Sequence, residues 1–253
     1  MPNALSPKLR NPPIVEAVVD IDCDLSPGFD LTALEEPARA GFKDQYPKFR
    51  TQLLQEHKIE AQADGPPNMS VRMAIQALQF LQDDEKQLIQ VRAQGFSFNR
   101  LAPYTGFDDY LPEIEQTWRK YVDLVSPVQI RAIRLRYINR ILVPITASTV
   151  DLDEFLKIGP RLPDEEKLML SSFLSQQVAI ERDTGYRINL VLTAQAPENE
   201  KLPVILDITV ESLAIVDRFD WPTMLPTMGA LRALKNRIFQ NTLTSKCIEL
   251  FQS

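Results

Sequence analysis

The run Ile130–Val143, IRAIRLRYINRILV, constrains the fold more than any other part of the chain. Alternation with period two puts Ile133, Leu135, Tyr137, Ile141 and Val143 on one side. Arg134, Arg136 and Arg140 fall on the other. A helix would scatter both sets around its circumference, whereas a strand separates them cleanly. One side must be packed and the other left to polar surroundings, which is the signature of an antiparallel sheet covered on one face.

The other segments read in the same terms. Ile14–Cys23 alternates and is rich in Val and Ile, so it reads as a strand. Asp30 caps a helical spacing of Leu31, Leu34, Ala38 and Phe42, in which Pro37 predicts a kink or a start near Glu36. Strands follow over 51–62, 71–82 and 87–99, with Asp83–Lys86 as a polar turn between the last two. A helix is spaced by Phe107, Tyr110, Leu111, Ile114, Trp118, Tyr121 and Val125, and Ser126-Pro127 ends it. After the strand 128–143, Asp151 caps a short helix with Leu152, Phe155 and Leu156. Strands over 173–182, 187–195 and 204–215 precede a helix that Pro226 opens and that runs to Phe251.

With 8 glycines against 19 prolines, proline does most of the punctuation. Each half reads strand, helix, three strands, helix, and a shift of 121 residues brings the order of one onto the other. The predicted class is therefore α+β, in two tandem units at 1–127 and 128–253. Their antiparallel sheets are expected to join into one curved sheet with helices on one face.

A net charge of −6 disfavours nucleic acid and anionic membranes as bulk partners and leaves the arginine stripe as the one place for a polyanion. No stretch approaches the ~18 apolar residues of a membrane span, and Met1–Pro13 carries no apolar leader core. The expectation is a cytoplasmic chain that needs no membrane. Cys23 and Cys247 read as small buried hydrophobes. His57 is the sole histidine and reads as a surface residue, which excludes His-rich zinc sites and leaves little room for a His-based triad. Gly-x-Gly-x-x-Gly, the Gly-Lys-Ser/Thr phosphate loop, Gly-x-Ser-x-Gly and Cys-x-x-Cys are absent. No cofactor is expected.

Two constellations remain. Arg134, Arg136 and Arg140 form an anion-binding stripe, unless acidic neighbours pair with them. Glu16, Asp20, Asp22 and Asp24 share one side of the first strand, and they are the candidate neighbours. As an alternative, Asp20, Asp22 and Asp24 supply oxygen ligands for a divalent metal, although no Glu-x-Glu-x-Lys signature accompanies them. Asn99 and Arg100, at the end of Phe96–Tyr104, join the candidate ligand set, beside aromatic residues that either stack on a base or pack under the Trp118 helix. Asp207 and Glu211 form a generic carboxylate pair.

Leu9–Ile21, LRNPPIVEAVVDI, with Phe96–Tyr104, FSFNRLAPY, and Leu135–Ile141, LRYINRI, resembles a sporadically distributed prokaryotic family of about 250 residues. The resemblance covers residues 9–160 and implies no assigned activity and no catalytic residues. That family's last helix often carries an acidic residue and a histidine, where this chain has Arg232 and Lys235. The reading that follows is a non-enzymatic binding or interaction protein with a protein partner or a second copy of itself. The alternative is a binder of nucleotide or polyphosphate, or a metal-dependent phosphohydrolase, acting through the arginine stripe and the acidic strand.

Overall fold

The computed structural model describes residues 9–60, 68–146, 150–163, 170–213 and 219–252, and of 56–60, 68–70 and 72 the backbone only. The surface position expected of His57 lies outside the described side chains. Among the described residues nine strands form one sheet: β1 (Ile14–Asp24), β2 (Lys48–Glu60), β3 (Asn68–Leu81), β4 (Gln87–Arg92), β5 (Gly95–Leu101), β6 (Gln129–Pro144), β7 (Leu174–Ile180), β8 (Arg187–Ala194) and β9 (Lys201–Ser212). Their spatial order is β2-β3-β4-β5-β1-β6-β9-β8-β7, and every pairing is antiparallel. Among the described residues four α-helices accompany them: α1 (Leu31–Phe42), α2 (Phe107–Val125), α3 (Trp221–Thr242) and α4 (Ser245–Glu249).

This overturns the two matching strand-helix-three-strand-helix units. The first half carries four strands after its helix, because the run 87–99 is two strands and not one. The chain reverses between Arg92 and Gly95, whose φ of +138° opens the turn. A Cβ at Gly95 would lie 2.1 Å from the Ile21 carbonyl oxygen, so only glycine lets β5 start this close to β1. In the second half the short helix shrinks to a single 3-10 turn at Leu152–Glu154 capped by Asp151. The last helix begins at Trp221, five residues before the expected Pro226, with Asp220 as its cap. It stops at Thr242, and Thr244 caps a separate α4. Pro37, Pro112 and Pro226 all lie inside helices, so proline punctuates this chain less than its count suggests.

The helices cover one face of the sheet. Ala17, Val19, Ile21 and Cys23 of β1, Ile133, Leu135, Tyr137, Ile141 and Val143 of β6, and Val204, Leu206, Ile208 and Val210 of β9 form its buried side. Phe96 packs beneath α2, with ring centroids 5.8 Å from Trp118 and 5.5 Å from Tyr121. Trp118 donates its indole N–H to the Phe219 carbonyl at 3.0 Å and ties α2 to the segment entering α3. Both cysteines are free and buried, and burial pushes each thiol up to about 12, which keeps them inert. Among the described residues no helix is long and apolar enough to cross a membrane.

Candidate functional site

Among the described residues no helix lies on the other face, and most of the predicted residues fall there. Two polar ladders cross it. In the first, amides run from Gln52 on β2 to Gln79 on β3 (3.1 Å), Gln90 on β4 (3.2 Å) and Asn99 on β5 (3.1 Å). Asn99 then donates to Glu16 on β1 at 2.8 Å. In the second, Arg92 on β4 meets Asp22 on β1 at 3.0 Å, and Asp22 meets Arg134 on β6. Arg134 holds Glu211 on β9 at 2.6 Å, and Glu211 accepts from Arg187 on β8 at 2.5 Å. Long side chains laid over one another bury groups that no layer covers: the side chains of Asp22 and Glu211 are 11% and 4% exposed.

Each arginine of the stripe has an acidic neighbour. Arg136 grips Asp207 through two nitrogens at 2.6 and 3.0 Å, and Arg140 is held by Glu198 at 2.7 Å and Gln195 at 3.0 Å. Burial weakens the Arg134 charge, but Asp22 and Glu211 outweigh it and raise its pKa, while Asp207 raises that of Arg136. The three stripe arginines and Asn99 therefore share one face, each with its own acidic or amide partner.

Arg100 is not with them. It points to the helix-covered face, its guanidinium 5.3 Å from the centre of the Tyr110 ring and its Nε buried without a hydrogen bond. The acidic triplet is paired as well, and Arg92 serves two of its members, 3.4 Å from Asp20 and 3.0 Å from Asp22. Asp20 accepts from Ser97, Asp22 lies between two arginines, and Asp24 meets Arg131 and Gln129. Among the described residues no group of three or more His, Cys, Asp or Glu side chains could hold a metal ion. Asp207 and Glu211 are likewise partners of arginines.

The cleft with unspent chemistry lies on the helix side. It encloses about 1150 Å³ between Leu9–Ile14, the β5–α2 connection, β6 and α3. Its walls bring together parts of Leu9–Ile21, Phe96–Tyr104 and Leu135–Ile141. Leu9–Ile14 runs along one rim, Ala102–Tyr104 along another, and Tyr137 and Asn139 form the floor. The Arg140 N–H donates to the Pro13 carbonyl at 2.8 Å, and the Ala102 N–H to the Val15 carbonyl at 3.0 Å, so backbone bonds fix both rims to the sheet. Asn139 breaks the apolar side of β6 and spends its amide on the Leu206 and Tyr137 carbonyls at 2.9 and 3.2 Å.

Lys235 of α3 enters this cleft and is 8% exposed. Its Nζ sits 3.9 Å above the centre of the Tyr137 ring. Among the described residues it is the only buried cation, and no carboxylate pairs with it. Burial first, and the Arg232 charge one turn away second, pull its pKa from 10.5 down to about 7. Arg232 is half-buried and gives two nitrogens to Asp108 at 2.5 and 2.9 Å, bridging α3 to the first turn of α2. The Tyr104 and Tyr137 hydroxyls are 3.1 Å apart, and burial raises both pKa values, Tyr137 to about 12, so both keep their protons. The start of α2 also lines the cleft, and no side chain caps it. Sequence reading placed Arg232 and Lys235 on the last helix without seeing that the helix returns to the β1 and β5 motifs. Comparison with protein-family models, curated proteins and solved structures found no match for this chain.

Proposed function

We propose that the chain is a binding protein for a small organic anion, taken up in the cleft between α3 and the β5–α2 connection. The observation that carries this reading is Lys235, a buried amine at the cleft wall without a protein counter-charge. A folded protein rarely leaves such a group unpaired, because an uncompensated buried charge is expensive. An incoming anion completes it, and Arg232 on the same wall keeps N–H donors beyond the two bonded to Asp108. Cleft volume suits a ligand of drug or nucleotide size. The family resemblance supports the same place, since its three motifs meet there. The arginine stripe, by contrast, is already engaged by carboxylates of its own.

A thermal-shift panel of inorganic phosphate, mononucleotides and small mono- and dicarboxylates tests this. A ligand at 100 times its Kd stabilises by about 2.7 kcal/mol, and a chain of this size gains ~2–4 °C for each kcal/mol. The hit is expected to vanish in Lys235→Met and to persist in Arg136→Ala. A hit that instead needs Arg136 returns the site to the open face, and a panel without any hit refutes the cleft.

A second reading concerns partners, and β7 favours it. This edge strand reads LSQQVAI, without a charge or a proline, and exposes Leu174, Val178 and Ile180 at 75%, 63% and 69%. The opposite edge, β2, carries Lys48 and Arg50, the usual protection against edge-to-edge pairing. Antiparallel pairing of two β7 strands about Gln177 sets Leu174 against Ile180 and brings no like charges together. A second copy of this chain fits that edge. Val178→Lys is expected to convert a sedimenting dimer to monomer, and a wild-type chain that sediments as a monomer at high micromolar concentration refutes it.

A further inference from the structure

We infer that the Lys235 amine captures a carbonyl group, so that the ligand of the cleft is a small organic anion bearing an aldehyde or ketone, held as a reversible imine. This rests on the cleft being the ligand site and adds the chemistry of its occupant.

The geometry supplies three elements. The first is a nucleophile. Lys235 is buried, lies against an aromatic ring, lacks a carboxylate, and has a cation, Arg232, three residues earlier on the same helix face. Desolvation beside a second cation is the arrangement that frees a lysine lone pair near neutral pH, and its pKa of about 7 agrees. Around it in the cleft are the Tyr137 ring of β6, the Tyr104 hydroxyl bonded to Tyr137, Arg232, which Asp108 of α2 restrains, and the charged side chains of Arg10 and Asp109. Neither Asp108 nor Asp109 forms an ion pair with the amine, whose charge is opposed by burial and by Arg232.

The second element is a proton donor. Tyr104 and Tyr137 form a hydroxyl pair that stays protonated through neutral pH. The Nζ lone pair forms the C–N bond while the carbonyl π electrons move to oxygen, which takes a proton and gives a carbinolamine. The C–O bond then breaks and water leaves, and one N–H proton is lost. Starting from the free amine, the protonated imine takes up one proton from solvent, and no oxidant or reductant enters.

The third element is charge. The iminium restores a cation to a spot where the protein provides no counter-ion. A carboxylate or phosphate carried by the ligand itself supplies one, and Arg232 keeps N–H donors beyond the two bonded to Asp108. That makes a 2-oxo acid or an aldehyde acid a better occupant than a neutral carbonyl of equal size.

Glyoxylate with sodium cyanoborohydride at pH 7 is the test, read by peptide mass mapping of the full chain. Lys235 is expected to gain a carboxymethyl group at least ~10-fold faster than any other lysine, faster than it reacts with acetaldehyde, and with a rate that falls below pH 7. Glycolate, the same anion without the carbonyl, is titrated in parallel by calorimetry. Glycolate binding that depends on Lys235, with no preferential labelling, overturns the imine and leaves the cleft reading in place. Absence of both overturns the two together. The labelling is read on the wild-type chain, so it does not depend on any variant folding.

Discussion

Replacing Lys235 by Met stabilises the protein, by an amount that depends on pH. The amine is 8% exposed and its pKa falls from 10.5 to about 7. At ~1.4 kcal/mol for each tenfold change in proton affinity, the charged amine is about 5 kcal/mol worse off in the fold than in the unfolded chain. Below pH 7 both states are protonated and the cost is present in full. Between pH 7 and 10.5 the unfolded chain holds a proton that the folded chain has released, so wild-type stability rises with pH across that window. Methionine keeps the unbranched shape and removes the charge, giving up an amine–ring contact of ~1 kcal/mol. The net gain is then ~3 kcal/mol at pH 7 and under ~1 kcal/mol at pH 9.5. With a urea slope near 3 kcal/mol per molar, suited to a chain of this length, the midpoints differ by ~1 M at pH 7 and nearly coincide at pH 9.5. Titrations by circular dichroism at the two pH values measure this, and groups common to both proteins cancel in the difference. A Met variant that is less stable at pH 7, or a gap that does not close with pH, refutes the idea of an uncompensated buried amine.

Three further outcomes follow from the same geometry. Binding of any anion to Lys235 takes up a proton above pH 7, so affinity falls by up to about tenfold per pH unit from there toward 10, measurable by calorimetry in buffers of different ionisation enthalpy. Gly95→Ala forces a Cβ within 2.1 Å of the Ile21 carbonyl at a φ of +138° and costs more than ~3 kcal/mol, seen as a collapsed urea midpoint or loss of folded protein. Arg134→Ala strips a shared cation from Asp22 and Glu211 and costs ~3 kcal/mol, whereas Arg136→Ala, at a 46% exposed side chain, costs ~1 kcal/mol by the same denaturation.

Periodicity carried much of the local structure, and its failures have local causes. β6 runs from Gln129 to Pro144 with its apolar and arginine sides divided as alternation requires. The two-unit symmetry did not survive, because it rested on equal element counts, and both counts turned on single residues. Gly95 splits one apparent strand in two: Ile89 and Val91 before the turn are buried at odd positions and Phe96 and Phe98 after it at even ones, so the alternation changes phase there. Leu152, Phe155 and Leu156 have helical spacing, yet the Leu156 backbone bridges Leu243 instead of continuing a helix. Local pattern sets the face a residue takes, and the partner strand decides whether the element forms.

The site shows the same division between what pattern encodes and what topology adds. A stripe of arginines is conspicuous in a sequence because it is periodic, but a periodic charged face on a central strand lies beside other strands with faces of their own. Here they are acidic: β1 offers Asp22 and β9 offers Asp207 and Glu211, and these pair with Arg134 and Arg136. Lys235 has the opposite profile. In α3 it sits next to Leu234 and three residues after Arg232. Its burial comes from the Pro-rich segment before β1 and the β5–α2 connection closing over it, both remote in sequence. The sequence signal available was indirect: Pro12-Pro13 and Ala102-Pro103-Tyr104 are rigid, partly apolar stretches beside Tyr137, and such stretches make walls more readily than they make strands. A charge that the fold buries without answering is a stronger pointer to a ligand than a row of charges that the fold has already paired.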